Sequence, residues 1–125
     1  MGRIRRKIEV LGKPRWTLFD SGSRNTYVAR EAVAGLVTSR RGKPWKAAIG
    51  GTVHQVKETC VLKASIDNHE IETLARVVDE IGQDEDGKPI EILFGALSMQ
   101  EWGIHLDLPN ERLDLSHYST TFVEF

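Results

Sequence analysis

Asp20 ends a short apolar run, Thr17-Leu18-Phe19, and opens the turn Asp20-Ser21-Gly22-Ser23. A carboxylate held at the end of a strand in a Ser/Gly turn is a candidate general base for taking a proton from water. Gly22 lets the backbone approach that carboxylate where a side chain would obstruct it. Water activation by this route takes two carboxylates that share one proton. Asp-Ser-Gly occurs once in 125 residues, so a complete site calls for two chains. An ordinary turn closing a strand is the competing reading of the same residues.

No other cluster carries comparable chemistry. His54, His69, His105 and His117 lack metal-ligand spacing, and no metal is expected. Asp84-Glu85-Asp86 stands in a glycine-bearing turn without the spacing of a calcium loop and reads as solvent-facing. Cys60 is the single cysteine, so no internal disulfide forms; it reads as a small buried hydrophobe in a reducing, cytoplasmic setting. Arg3, Arg5, Arg6 and Lys7 read as a solvated strand end. The net charge of −1 gives no reason to expect nucleic acid or an acidic membrane as partner. No apolar run approaches the roughly 20 residues that span a bilayer, and Met1 to Lys7 lead into alternating residues and not into a signal-peptide core.

The elements that must position Asp20 are mostly strands. Ile4 to Val10 alternate imperfectly and turn at Gly12-Lys13-Pro14; Trp16 to Phe19 follow, and Tyr27-Val28 are extended again. Arg30 to Leu36 suggest a short helix, and the basic stretch Thr38 to Pro44 an exposed loop. Ala47 to Val53, with Gly50-Gly51 between extended arms, has a hairpin signature. Val56 to Ile66 and Glu70 to Ile81 are β-rich around an Asp67-Asn68 turn. Ile90 to Phe94 form an apolar strand ending at Gly95, and Ala96 to Trp102 a helical turn or two, with Met99 and Trp102 toward the core. Ile104 to Leu108 and Arg112 to Leu115 form a late hairpin across Pro109-Asn110. With no linker, repeat or low-complexity tract, residues 1–125 read as one domain.

The order is specific: Asp-Ser-Gly turn, glycine-tipped hairpin, then apolar-apolar-Gly and helix. In that order the chain resembles the retropepsin-like aspartic proteases, in particular the small stand-alone bacterial and archaeal type. The resemblance rests on Leu18 to Ser23, Ile49 to Val53 and Ile92 to Gly95, and on the helix-then-strand ending from Ala96 to Asp107. It spans roughly residues 16–115. Ser21 stands where Thr is common in the family and Ser23 where Ala is frequent. Lys43-Pro44-Trp45-Lys46 is individual to this chain. The termini match no family pattern, and the tail Thr121 to Phe125 could be an interface strand, a surface strand or a disordered end.

The resemblance implies a mainly β, closed acid-protease-type barrel with one or two short helices, working as a homodimer without a cofactor. It implies that two Asp20 side chains form the catalytic pair, that Ser21 braces the turns across the axis, and that Gly22 admits the backbone. Ile49, Gly50, Gly51, Thr52 and Val53 would form a flap over an extended peptide, with Val28 and Leu93 in the pocket walls. The implied activity is endopeptidase cleavage of a peptide or protein substrate. A retropepsin-like dimer that binds peptides or scaffolds a partner without cleaving is the alternative, and a small β-barrel interaction domain is the third.

Overall fold

The first two strands set the register on which Asp20 depends. In the computed structural model, which describes residues 2–124, strand β1 (Arg3–Val10) and strand β2 (Lys13–Asp20) form an antiparallel hairpin. Their two-residue turn is Leu11-Gly12, both at positive φ (53° and 73°), the backbone twist that matches a tight hairpin. The turn is therefore one residue earlier than Gly12-Lys13-Pro14, and Pro14 already pairs with Glu9. Counting back from a two-residue turn places Arg3 opposite Asp20.

Strand β3 (Tyr27–Ala29) leads into a single 3-10 turn, Arg30–Val33, shorter than the helix expected to Leu36. Strand β4 (Thr38–Ile49) and strand β5 (Thr52–Ile66) form a long hairpin whose tip is Gly50-Gly51, at φ 56° and 82°. The expected loop Thr38 to Pro44 is thus corrected to the first half of a strand, with a register shift between Arg40 and Trp45. This half is mostly exposed, so it shows no hydrophobic alternation; with no buried face, nothing imposes the period-2 pattern.

Strand β6 (His69–Val78) returns along β5 after Asp67-Asn68, both at positive φ. Strand β7 (Ile92–Phe94) and helix α1 (Ala96–Trp102) follow, then strands β8 (His105–Asp107) and β9 (Arg112–Asp114), which pair as a small separate sheet. The helix ends on Gly103 at φ 66°, whose N–H reaches the carbonyls of Gln100 and Met99, the left-handed glycine cap that satisfies terminal carbonyls. Thr121–Glu124 form no strand, and Phe125 of the expected tail lies outside the described residues.

The main sheet runs β1-β2-β7-β3-β6-β5-β4, and β1 touches β5 again at Glu9 and Ser65. Its centre is parallel where β2 meets β7 and where β3 meets β6. These short central strands are apolar on both faces, as burial on both sides requires. On one face Phe19, Val28, Ile92 and Phe94 join the large core with Ile8, Leu62 and Val77. The Phe19 and Phe94 rings tilt against each other at 4.9 Å between centroids, worth about 0.5–1.5 kcal/mol beyond their buried area. On the other face Leu18, Tyr27 and Leu93 join Val56, Val78, Ile81 and Ile90. Cys60 is buried in the large core, and Met99 packs there too, with Trp102 half-buried against it.

The polar edges are paired more fully than their composition suggests. Arg5 contacts Asp84 and Asp86, and Arg6 contacts Asp67; the basic start of β1 is therefore ion-paired and not merely solvated. Asp84 is not solvent-facing. Its side chain is 2% exposed and accepts bonds from the Trp16 indole and the backbone N–H groups of Asp86 and Lys88. The outer edge of β6 beyond the β3 pairing is covered by side chains. The Tyr118 hydroxyl donates to Glu70 O at 2.6 Å and the Trp102 indole to Glu72 O at 2.8 Å.

Candidate active site

Asp20 is the last residue of β2 and shares the strand face of Leu18, which points it into the second apolar layer and away from the Phe19 core. It is 8% exposed. The Gly22 N–H donates to its Oδ1 at 2.8 Å, and Ser23 N–H closes the turn onto the Asp20 carbonyl at 3.1 Å. Its Oδ2 lies 3.2 Å from Arg3 Nε.

Ser21 binds within the chain. Its N–H donates to Gly2 O, and its hydroxyl accepts from Gly2 N–H at 2.9 Å. The first described residues thereby tether the turn.

The far side of the turn is locked to helix α1. Ala96 N–H donates to Ser23 O at 2.6 Å and Leu97 N–H to Arg24 O at 3.1 Å. Gly95 N–H donates to the Thr26 hydroxyl, which meets Ser98 Oγ at 2.7 Å; Ser98 Oγ in turn lies 2.7 Å from the Thr73 hydroxyl. A Cβ on Gly95 would fall on the Asn25 carbonyl oxygen. The apolar-apolar-Gly signature thus has a steric basis: only glycine lets the helix start against this loop.

A groove of about 420 Å³ runs past Asp20 under the β4–β5 hairpin. Leu18, Tyr27, Ile81, Ile90 and Leu93 form its apolar wall; Ile49 and Gly50 come down from the hairpin, and Gly22 joins from the turn. Of the residues read from sequence, the groove therefore gathers Asp20, Gly22, Ile49, Gly50 and Leu93, while Ser21 lines a separate depression with Gly2 and Met99. Gly51 and Thr52 lie at the exposed hairpin tip outside the lining, and Val53, 65% exposed, lines a separate depression with Arg30 and Asp79. Val28 is not a wall. It is fully buried on the opposite face, in contact with the Phe19 core, because strand parity sends Tyr27 and not Val28 toward the groove.

Sequence reasoning missed Arg3, Leu18, Arg24, Tyr27, Ile81 and Ile90 among the lining residues. Two signals were available: the Leu11-Gly12 turn, which fixes Arg3 opposite Asp20, and the shared parity of Leu18 and Asp20. Ile81 and Ile90 carry no such signal, since both lie outside regular strands.

No protein-family model and no curated protein matches the chain. Among solved structures it is similar to the retroviral protease-like domain of Ddi1 from Leishmania major. That likeness has a TM-score of 0.66 at 13% identity and covers 93% of this chain and 90% of that one. At this identity the likeness establishes the architecture alone: a mainly β chain with one α-helix and a retroviral protease-like fold.

Proposed function

We propose that this chain is an aspartic endopeptidase that works as a homodimer, with one Asp20 from each subunit. The observation that carries the reading is the placement of a turn-held carboxylate at the floor of an apolar groove beneath a glycine-tipped hairpin. Two such carboxylates close together cannot both ionise readily, so the pair shares one proton. The ionised member takes a proton from a water molecule, which attacks the scissile carbonyl; the protonated member hydrogen-bonds the carbonyl oxygen as it gains charge. The proton then passes to the leaving nitrogen as the C–N bond breaks. The Gly50-Gly51 tip is suited to close over the peptide and exclude water.

The partner surface belongs to the same proposal. Ser21 borders an apolar depression formed with Gly2, Ala96, Met99, Ile104 and Leu108. A second copy seated there would bring its own Asp-Ser-Gly turn alongside this one, an isologous contact of the kind a two-fold dimer makes.

A second reading, a peptide-binding dimer without turnover, is favoured by one observation. Arg3 occupies Oδ2 of Asp20, an oxygen the shared-proton pair would use.

Cleavage of a diverse peptide library at about pH 4 to 7, wild type beside Asp20→Asn, separates the readings. The amide oxygen of Asn can still accept from Gly22 N–H, so the variant should fold and dimerise normally. Its turnover should fall by at least about 10²–10⁴-fold. Normal cleavage by Asp20→Asn sinks the assignment; a wild-type dimer that binds peptides and cleaves none supports the second reading.

A further inference from the structure

The groove and the hairpin above it are cationic in a chain whose net charge is −1. Among the residues lining the groove the charged ones are Arg3, Asp20 and Arg24, so Asp20 is its sole carboxylate. Asp20 is already matched by Arg3. Arg24 is exposed and, among the described residues, has no carboxylate within 4 Å. Its backbone is anchored from below, since its carbonyl accepts the Leu97 N–H at the start of α1, and on its other side it borders a depression that includes Glu101.

The hairpin adds to this field. From Thr38 to Glu58 it carries Arg40, Arg41, Lys43, Lys46 and Lys57 against the single carboxylate Glu58, five cations less one acid, or +4. The Arg41 guanidinium packs over the Trp45 ring at 3.1 Å from its centroid, and Arg76 of β6 approaches the same ring at 4.6 Å. Such stacking holds both charges at the hairpin, and the Arg41 Nε–H also donates to the Lys43 carbonyl at 3.0 Å. A cleft whose charge balance is positive, here Arg3 and Arg24 against Asp20 beneath a cationic hairpin, concentrates acidic ligands and repels basic ones.

We infer that the groove selects acidic polypeptide segments, an apolar residue flanked by aspartate or glutamate, and that Arg24 is the residue that determines this preference. The inference rests on the reading of the groove as a peptide site. The apolar wall of Leu18, Tyr27, Ile90 and Leu93 takes the central side chain, and Arg24 pairs with a flanking carboxylate.

The test uses the full chain carrying Asp20→Asn, so that bound peptide stays intact. Three peptides share one apolar centre and differ only in flanking residues: glutamate, glutamine or lysine. By calorimetry at low salt the glutamate peptide should bind about tenfold tighter than the glutamine one, with the lysine peptide weakest, and the margin should narrow at high salt. Adding Arg24→Glu should erase most of the glutamate peptide's advantage over the glutamine one, while Arg24→Lys should keep it. Equal affinities for the three, no measurable binding of any, or an order indifferent to Arg24→Glu each overturns the inference. Wild-type cleavage of the same peptides is read in parallel. Binding of the glutamate peptide without its cleavage supports the acidic preference and counts against the endopeptidase reading; equal cleavage of all three overturns the preference alone.

Discussion

Arg3 and Asp20 face each other across the β1–β2 hairpin, with Arg3 Nε 3.2 Å from Asp20 Oδ2. The arginine side chain is 59% exposed and that of Asp20 12%, so solvent screens the pair from the arginine side only and holds its worth to about 1 kcal/mol. Arg3→Gln should therefore leave the urea midpoint nearly unchanged. If the carboxylates act as proposed, releasing Oδ2 should raise turnover of an uncharged peptide about two- to fivefold. A rate that stays level or drops would show that Arg3 does not compete for the carboxylate.

Gly95→Ala should be among the most damaging single substitutions in the chain. The new methyl would fall on the Asn25 carbonyl oxygen and lie 2.9 Å from Ser23 O, both backbone atoms of the loop that follows Asp20. Overpacking of this kind costs on the order of 1–3 kcal/mol or more. Thermal melting should show the loss, and if Asp20 acts as proposed, turnover should drop further than the melt alone explains, because the loop that follows Asp20 must shift. A variant with wild-type melting and activity would mean the loop yields freely.

Ser98→Ala removes the middle member of a buried chain of hydroxyls. Thr73 loses its partner at 2.7 Å, while Thr26 loses one and keeps the bond it accepts from Gly95 N–H; both threonines are almost fully buried. Leaving buried hydroxyls unpaired costs about 1–3 kcal/mol, which urea unfolding should register. A loss of under about half a kcal/mol would mean that the threonines find new partners.

Asp84 should make a separate contribution to acid stability. Burial pushes its carboxyl up, but the Lys88 N–H, the Trp16 indole, the Asp86 N–H and Arg5 together hold it down at about 2, against an ordinary 3.8. Because the folded value lies below the unfolded one, this stability is present above about pH 4 and is lost as pH falls toward 2. Urea midpoints measured across that window should fall steeply for wild type and more gently for Asp84→Asn. Parallel curves would remove Asp84 from the account.

Which parts of this were legible in the sequence follows from how each residue is buried. The Asp20-Ser21-Gly22 turn, the Gly50-Gly51 tip and the Gly95 junction could be read because each depends on local backbone chemistry. Leu93 could be placed because it lies two residues before that glycine. Val28 was misplaced because β3 is apolar on both faces, and a strand of three buried residues gives no alternation from which to read its parity. Strand β4 was misread for the opposite reason: it is exposed almost throughout. Asp84 looked like a surface acid because its partners Trp16 and Arg5 stand 68 and 79 positions earlier in the chain, and such distant pairing leaves no local trace.

The cover over the β6 edge governs how the molecule behaves when crowded. Glu70 O and Glu72 O would otherwise offer a row of acceptors to any extended chain that drifted by, including another copy of this one. Tyr118 and Trp102 occupy those acceptors, so accidental strand addition is blocked along this side of the sheet. Trp102 and Tyr118 lie stacked at 6.0 Å, and Phe122 packs edge-on against Trp102. Trp102 of α1 and Tyr118 and Phe122 of the C-terminal segment thus close this edge together, apart from whatever chemistry proceeds at Asp20.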